Sequence, residues 1–204
     1  MTVDEFLVEL YGDELSDMFV GNRNSKIESR GKLFPLMNTA MLYAYATFKI
    51  RLATVQLQVL DGTDVYVLLD GLTPRTDVLA ITRVINTYGR ELKPDEVTIL
   101  GQTLTFSNPQ TVELQVEYKV KPVRFTEEQD DEDVILDLPD LLVPWMRAFV
   151  AARIFMSQKT EEALAKGTHL MTQAKLMENL YTSTNTSNEF TLPDSSKMRL
   201  RGFA

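Results

Sequence analysis

Between residues 138 and 181, apolar side chains recur every three or four positions: Leu142, Trp145, Phe149, Ala152 and Met156, then Ala163, Leu170, Ala174, Met177 and Tyr181. That spacing gathers them on one stripe of a helix and leaves Arg147, Arg153, Lys159 and Lys175 mostly away from it. Pro139 and Pro144 flank the start, where first-turn amides have no helical partner and proline costs little. The run is long for one globular helix, and Ser157-Gln158-Lys159-Thr160 offers a break. Thr160 can cap a second helix whose first turn carries Glu161 and Glu162, the charge that the helix dipole favours. The spacing therefore predicts a helical hairpin over 138–182, apolar enough to need another helix packed on it.

The N-terminal region supplies candidates. Thr2-Val3-Asp4-Glu5 has the form of a capping box and opens a helix with Phe6, Leu7, Leu10 and Tyr11 inward and Gly12 at its end. Residues 22–29 are polar and turn-forming. A second helix is expected from Gly31 or Lys32, with Pro35 in its first turn. Its face of Leu33, Leu36, Met37, Ala40, Met41, Ala44 and Phe48 is the expected receiver of the hairpin, with Tyr43 and Tyr45 pointing elsewhere.

From about Ile50 the period changes to two. Val55, Leu57 and Val59 alternate with Thr54, Gln56 and Gln58, as in a half-buried strand. Asp61-Gly62 suits a tight primed turn and predicts a hairpin with Val65–Leu69 as the returning strand. A further strand is expected over 78–85, and 97–100 and 104–106 flank Gly101 as another hairpin. Val112, Leu114, Val116, Tyr118 and Val120 alternate strictly with Glu113, Gln115, Glu117, Lys119 and Lys121 until Pro122, which cannot donate to a ladder. The expected fold is α+β: helices of residues 1–49 and 138–182 form an α-helical bundle, with an antiparallel β-domain inserted at 50–125. Residues 126–137 are an acidic linker. Residues 183–204 are an extended, flexible C-terminal arm, since 182–188 (TSTNTSN) holds little apolar surface.

Composition narrows the function classes. The chain of 204 residues is 44% hydrophobic and 25% charged, ordinary values for a globular protein with a sizeable core. No apolar run approaches the roughly 20 residues that span a bilayer, and the first residues lack signal-peptide character, so no membrane partner and folding in a cytoplasm are expected. Cysteine is absent, which excludes disulfides, thiolate metal sites and cysteine nucleophiles. One histidine, His169, rules out a zinc site built on several. A formal charge of −8 argues against clamping nucleic acid through its phosphates.

Candidate sites are few. The acidic run at 127–133 (EEQDDED) lacks the spacing and central glycine of a calcium loop and reads as a solvated linker. His169, near Glu161, Glu162 and Glu178, has no neighbouring nucleophile pattern and reads as a surface or packing residue. The glycines at 62, 71, 89 and 101 sit at turns, and none begins a strand-to-helix phosphate loop. No catalytic, cofactor or metal residue is assigned, and no enzyme activity is expected. The tail differs: Met198, Leu200 and Phe203 interleave with Arg199 and Arg201, a mix suited to an anchor that orders on a partner. These five are the candidate interface residues.

Three stretches carry a family resemblance: the helix with LMNTAMLYAYATFKI ahead of DGTDVYVLL, the strand VELQVEYKVKP followed by an acidic linker and DLPDLLVPWMRAFVAARIF, and the last helix MTQAKLMENLY before a polar tail. Together they cover nearly the whole chain, and the pattern resembles the head-to-tail adaptor (connector) proteins of tailed bacteriophages, of the tail accessory or tail tubular type. The resemblance implies a helical bundle bearing a β-domain, with subunits in a ring, commonly dodecameric. Such a ring sits below the portal, meets the tail nozzle or tube proteins and continues the DNA channel in the virion neck. An acidic lumen would let DNA pass without specific binding. The rival readings are a monomeric helical scaffolding or regulatory protein binding one partner, and an enzyme with a site built from acidic residues.

Overall fold

The computed structural model describes the backbone of residues 1–16, 23–70, 73–126 and 134–188, and the side chains of 1–16, 31–69, 75–126 and 134–184. The elements are α1 (Val3–Gly12), α2 (Arg23–Thr47), β1 (Leu52–Val59), β2 (Val65–Val67), β3 (Leu69–Asp70), β4 (Thr73–Pro74), β5 (Val78–Asn86), β6 (Val97–Leu100), β7 (Thr103–Phe106), β8 (Val112–Val120), α3 (Val143–Ser157) and α4 (Glu161–Asn188). The fold is mixed helix and antiparallel sheet, compatible with the α+β class. The chain separates into two compact units, one of residues 1–37 with 126–204 and the other of residues 38–125.

In the first unit, the capping box forms as the residue types dictate. Glu5 N–H donates to Thr2 Oγ1 at 3.2 Å, and Thr2 N–H donates to the Glu5 carboxylate at 2.7 Å. Phe6, Leu7, Leu10 and Tyr11 are buried. The segment after the acidic run pairs with the N-terminus: Val3 N–H donates to Val134 O and Leu136 N–H to Met1 O. A single 3-10 turn, Asp140–Leu142, leads into α3, which has Pro144 in its first turn. α3 is buried on more than one side: Trp145, Met146, Ala148, Phe149, Val150, Ala151, Ala152 and Phe155 are all inside. The Trp145 and Phe149 rings stack at 5.5 Å. α3 ends at Ser157, Lys159 turns the chain with φ of 59°, and Thr160 Oγ1 accepts Ala163 N–H to start α4. At Gly167, α4 approaches α3 closely. A Cβ there would stand 2.9 Å from Met156 Cγ and 3.0 Å from the Ala152 carbonyl.

In the second unit, β8 is the middle strand of a sheet ordered β1-β8-β5, and a second sheet runs β2-β7-β6. Leu114, Val116 and Tyr118 of β8 face a core shared with Val59, Leu68, Val78, Val84, Val97, Leu104 and Phe106. The unit's two ends are clasped: Asn38 Nδ2 donates to Phe125 O at 3.0 Å, and Phe125 N–H donates to Asn38 Oδ1 at 2.8 Å.

Four expectations change. α2 begins at Arg23, so residues 23–29 are helical and Pro35 lies inside the helix. Proline's fixed φ suits a helix, and its cost is one missing donor and a clash that bending relieves. Tyr45 is buried with Met41, Ala44 and Phe48. Asp61-Gly62 does make a turn, with Gly62 at φ 77°, but its strands part: β1 pairs β8 and β2 pairs β7. An eight-residue register on β8 outweighs the three that β2 offers. α4 continues through Thr182–Asn188, read from composition as flexible. The hydroxyls of Thr182, Ser183 and Thr184 bond to carbonyls three or four residues back, so these side chains bond to the helix itself.

Candidate interaction surfaces and polar clusters

The interface residues expected from sequence, Met198, Arg199, Leu200, Arg201 and Phe203, lie outside the described residues, as does the acidic run at 127–133. His169 is exposed on α4 and pairs with Gln173 one turn on, its Nε2 3.1 Å from the amide nitrogen. Among the described residues, no group of three or more His, Cys, Asp or Glu side chains is placed to hold a metal ion.

Three polar groupings are built into the fold. The first lies in the helical unit. Arg147 Nη1 donates to Glu9 at 2.9 Å and to Asp13 at 3.1 Å, while its Nε sits 3.4 Å from Glu14. Both Arg147 and Glu14 are more than four-fifths covered, and Glu14 Oε2 and Arg147 Nε are buried without a hydrogen-bond partner. Burial pushes the Glu14 carboxyl above its ordinary value, and the adjacent backbone and Arg147 only partly oppose that. The sequence gives Arg147 as a residue off the apolar stripe, without its partners, because Glu9, Asp13 and Glu14 lie over 130 positions away in the chain.

The second grouping lines the outer face of β8. Arg83 donates to Glu117 at 2.8 Å and Thr82 adds a bond at 3.0 Å, which together hold the Glu117 carboxyl below the usual range. Lys119 donates to the Ala46 carbonyl, and its desolvation lowers its pKa.

The third grouping borders an open cleft of about 490 Å³ at one end of the sheet unit. Val59, Phe106 and Leu114 form its floor, with Asn86, Asn108 and Gln110 around the rim. Arg90 there meets Glu96 through two bonds, at 2.7 and 3.0 Å, and Lys93 N–H adds a third, which holds Glu96 at a pKa of about 2. That pairing ties Arg90 and Glu96 to each other at the cleft's border, which Asp95 also lines.

Apolar exposure is more telling. The outward face of the β2-β7-β6 sheet carries Val65, Val67, Thr98, Leu100, Thr103 and Thr105 and holds no charge. On α4, Leu176 and Leu180 are adjacent one turn apart and more than half exposed. No described helix is long and apolar enough to cross a membrane. The chain matches no protein-family model and no curated protein.

Proposed function

We propose that the protein is a non-enzymatic structural subunit of a tailed-phage virion, a head-to-tail adaptor that assembles into a ring between the portal and the tail. The helices of both chain ends form its bundle, residues 50–125 form the β-domain inserted in it, and the arm carrying Met198, Arg199, Leu200, Arg201 and Phe203 docks on a partner. The observation that carries this reading is the chain's division: one unit takes residues 1–37 and 126–204 from both ends, and the other takes the continuous stretch 38–125, the second part of α2 with all the strands, its ends joined by the Asn38–Phe125 pair. A unit drawn from both chain ends, with a strand-rich stretch between them, supports the arrangement that the resemblance in sequence implies. The uncharged outer face of the β2-β7-β6 sheet suits contact with protein, while a net charge of −8 suits a lumen that DNA slides past.

The test is a complementation of assembly. Particles made without this protein should be DNA-containing heads that lack tails, and adding the purified protein should restore tail attachment. Complete tails on particles lacking it would overturn the reading.

A further inference from the structure

β1 is an open strand edge of a kind that folded proteins seldom leave uncovered. Val120 N–H donates to the Arg51 carbonyl, which fixes the phase of the ladder. In an antiparallel pair, hydrogen-bonded and non-bonded positions alternate. With Leu52 opposite Lys119, the main-chain groups of Ala53, Val55 and Leu57 therefore bond β8, and those of Leu52, Thr54, Gln56 and Gln58 point away from it. Among the described residues, no main-chain bond reaches those outward groups. At Leu60, the next in the series, the Tyr66 hydroxyl caps both N–H and C=O.

The other edges are guarded. β5 has two register shifts, and its far end is bonded by Arg90 and Leu92. β2 has three residues and β6 four. β1 runs eight residues, LATVQLQV, with no charge, proline or bulge. Edges normally carry one of those features because an unguarded one recruits another strand. Ala53, Val55 and Leu57 point to the core yet stay half-buried, so the core is uncovered along this edge.

The sequence also holds a segment of matching pattern. Directly after α4 ends at Asn188 come Glu189-Phe190-Thr191-Leu192, which alternate polar and apolar, and then Pro193, which stops a ladder. Extended, residues 189–192 carry the chain at most about 14 Å beyond the end of α4, so the end of that helix sets where this segment is presented.

We infer that residues 189–192 of one copy add as a strand to the open edge of β1 in a neighbouring copy. This rests on the ring reading above, in which each subunit gives its arm to the next. Phe190 and Leu192 then cover Val55 and Leu57, Thr191 lies on the side of Thr54 and Gln56, and the basic tip beyond Pro193 is left for another partner.

The absence of native cysteine makes the test clean. Full-length copies carrying Thr191→Cys are mixed under mild oxidation with copies carrying Thr54→Cys, Gln56→Cys or Gln58→Cys, and separately with Val55→Cys or Leu57→Cys. The expected result is an interchain disulfide at one or two of the first three positions and none at the last two, because only one face brings the Cβ atoms within about 4 Å. Gln56→Pro removes an outward donor and spares the β8 ladder, so in this background the link should vanish with the far-ultraviolet spectrum unchanged. Should that variant misfold, Phe190→Asp with Leu192→Asp serves instead. Cross-linking without the two-residue alternation, or no link at any of the first three positions, overturns the inference. Oligomers that close into rings without any such link would overturn it while leaving the adaptor reading intact. Linked pairs that never form rings would uphold strand addition and sink the adaptor reading.

Discussion

α3 and β8 are each the middle element of their unit, and they solve burial in opposite ways. A helix satisfies its backbone internally, so α3 can be covered on several sides, and nine of its fifteen residues are buried. A strand depends on its neighbours for backbone bonds, and β8 has β1 on one side and β5 on the other. Its side chains then need only one apolar face. Leu114, Val116 and Tyr118 are buried, while Glu117 and Lys119 work on the opposite face. The charged groups follow from this. On β8 a carboxylate is stabilised by its setting, whereas beside α3 the Glu14 carboxylate is strained by burial and held by Arg147.

Truncating the centre of α3 should have the largest effect. Trp145→Ala is expected to cost about 3–5 kcal/mol in urea unfolding, the range for a large core aromatic. A loss below about 1 kcal/mol would mean that α3 is not the centre of its unit.

Arg147→Ala comes next. It strips the guanidinium from three carboxylates and should cost about 2–3 kcal/mol at neutral pH, less than a fully buried pair because Glu9 and Asp13 reach solvent. The pH dependence has a definite sign. Glu14's folded pKa is raised, so its charged form burdens the native state above that value and the burden lifts as pH falls through it. The gap between wild type and variant should therefore narrow from pH 7 to pH 5, measured by paired urea titrations. A constant gap would show that Arg147 acts through packing alone.

Gly167→Ala sharpens the contrast within the helical unit. Helix propensity favours alanine by about 1 kcal/mol, but overpacking costs about 1–3 kcal/mol. The atoms in the way include the Ala152 carbonyl and Met156 N, which are backbone and cannot swing aside. Net destabilisation is expected, and a rise in Tm would show that α3 and α4 can move apart freely.

On the outer face of β8, Glu117→Gln should cost only about 0.5–1 kcal/mol, since Arg83 is half exposed and solvent screens the pair. Here the sign reverses. The Glu117 pKa is lowered, chiefly by the Arg83 hydrogen bond, so its contribution is present above the unfolded carboxylate pKa and fades as pH falls through the folded one. The smallest effect belongs to exposed His169: His169→Gln should stay within about 0.5 kcal/mol and leave particle assembly unchanged.

What could be read from sequence was what a short window encodes. The Thr2–Glu5 box, the Thr160 cap, the break at 157–160 and the alternation of β8 each depend on residues within a few positions of one another, and each is present. The Asp61-Gly62 turn was legible as a turn but not as a switch between sheets, because the partner of β1 lies over fifty residues away. The buried side of Tyr45 and the carboxylates around Arg147 were hidden for the same reason. The open β1 edge had a local signal, eight residues without charge, but it means something only once the neighbouring strands are known.

The central claim is that this chain builds a ring on a portal, and mass in solution tests it most directly. Light scattering of the full-length protein, alone and mixed with the portal of the same virus, should show a complex whose added mass is many multiples of 23.2 kDa and saturates at a fixed stoichiometry. A 23.2 kDa species that persists unchanged in the presence of the portal would contradict the account.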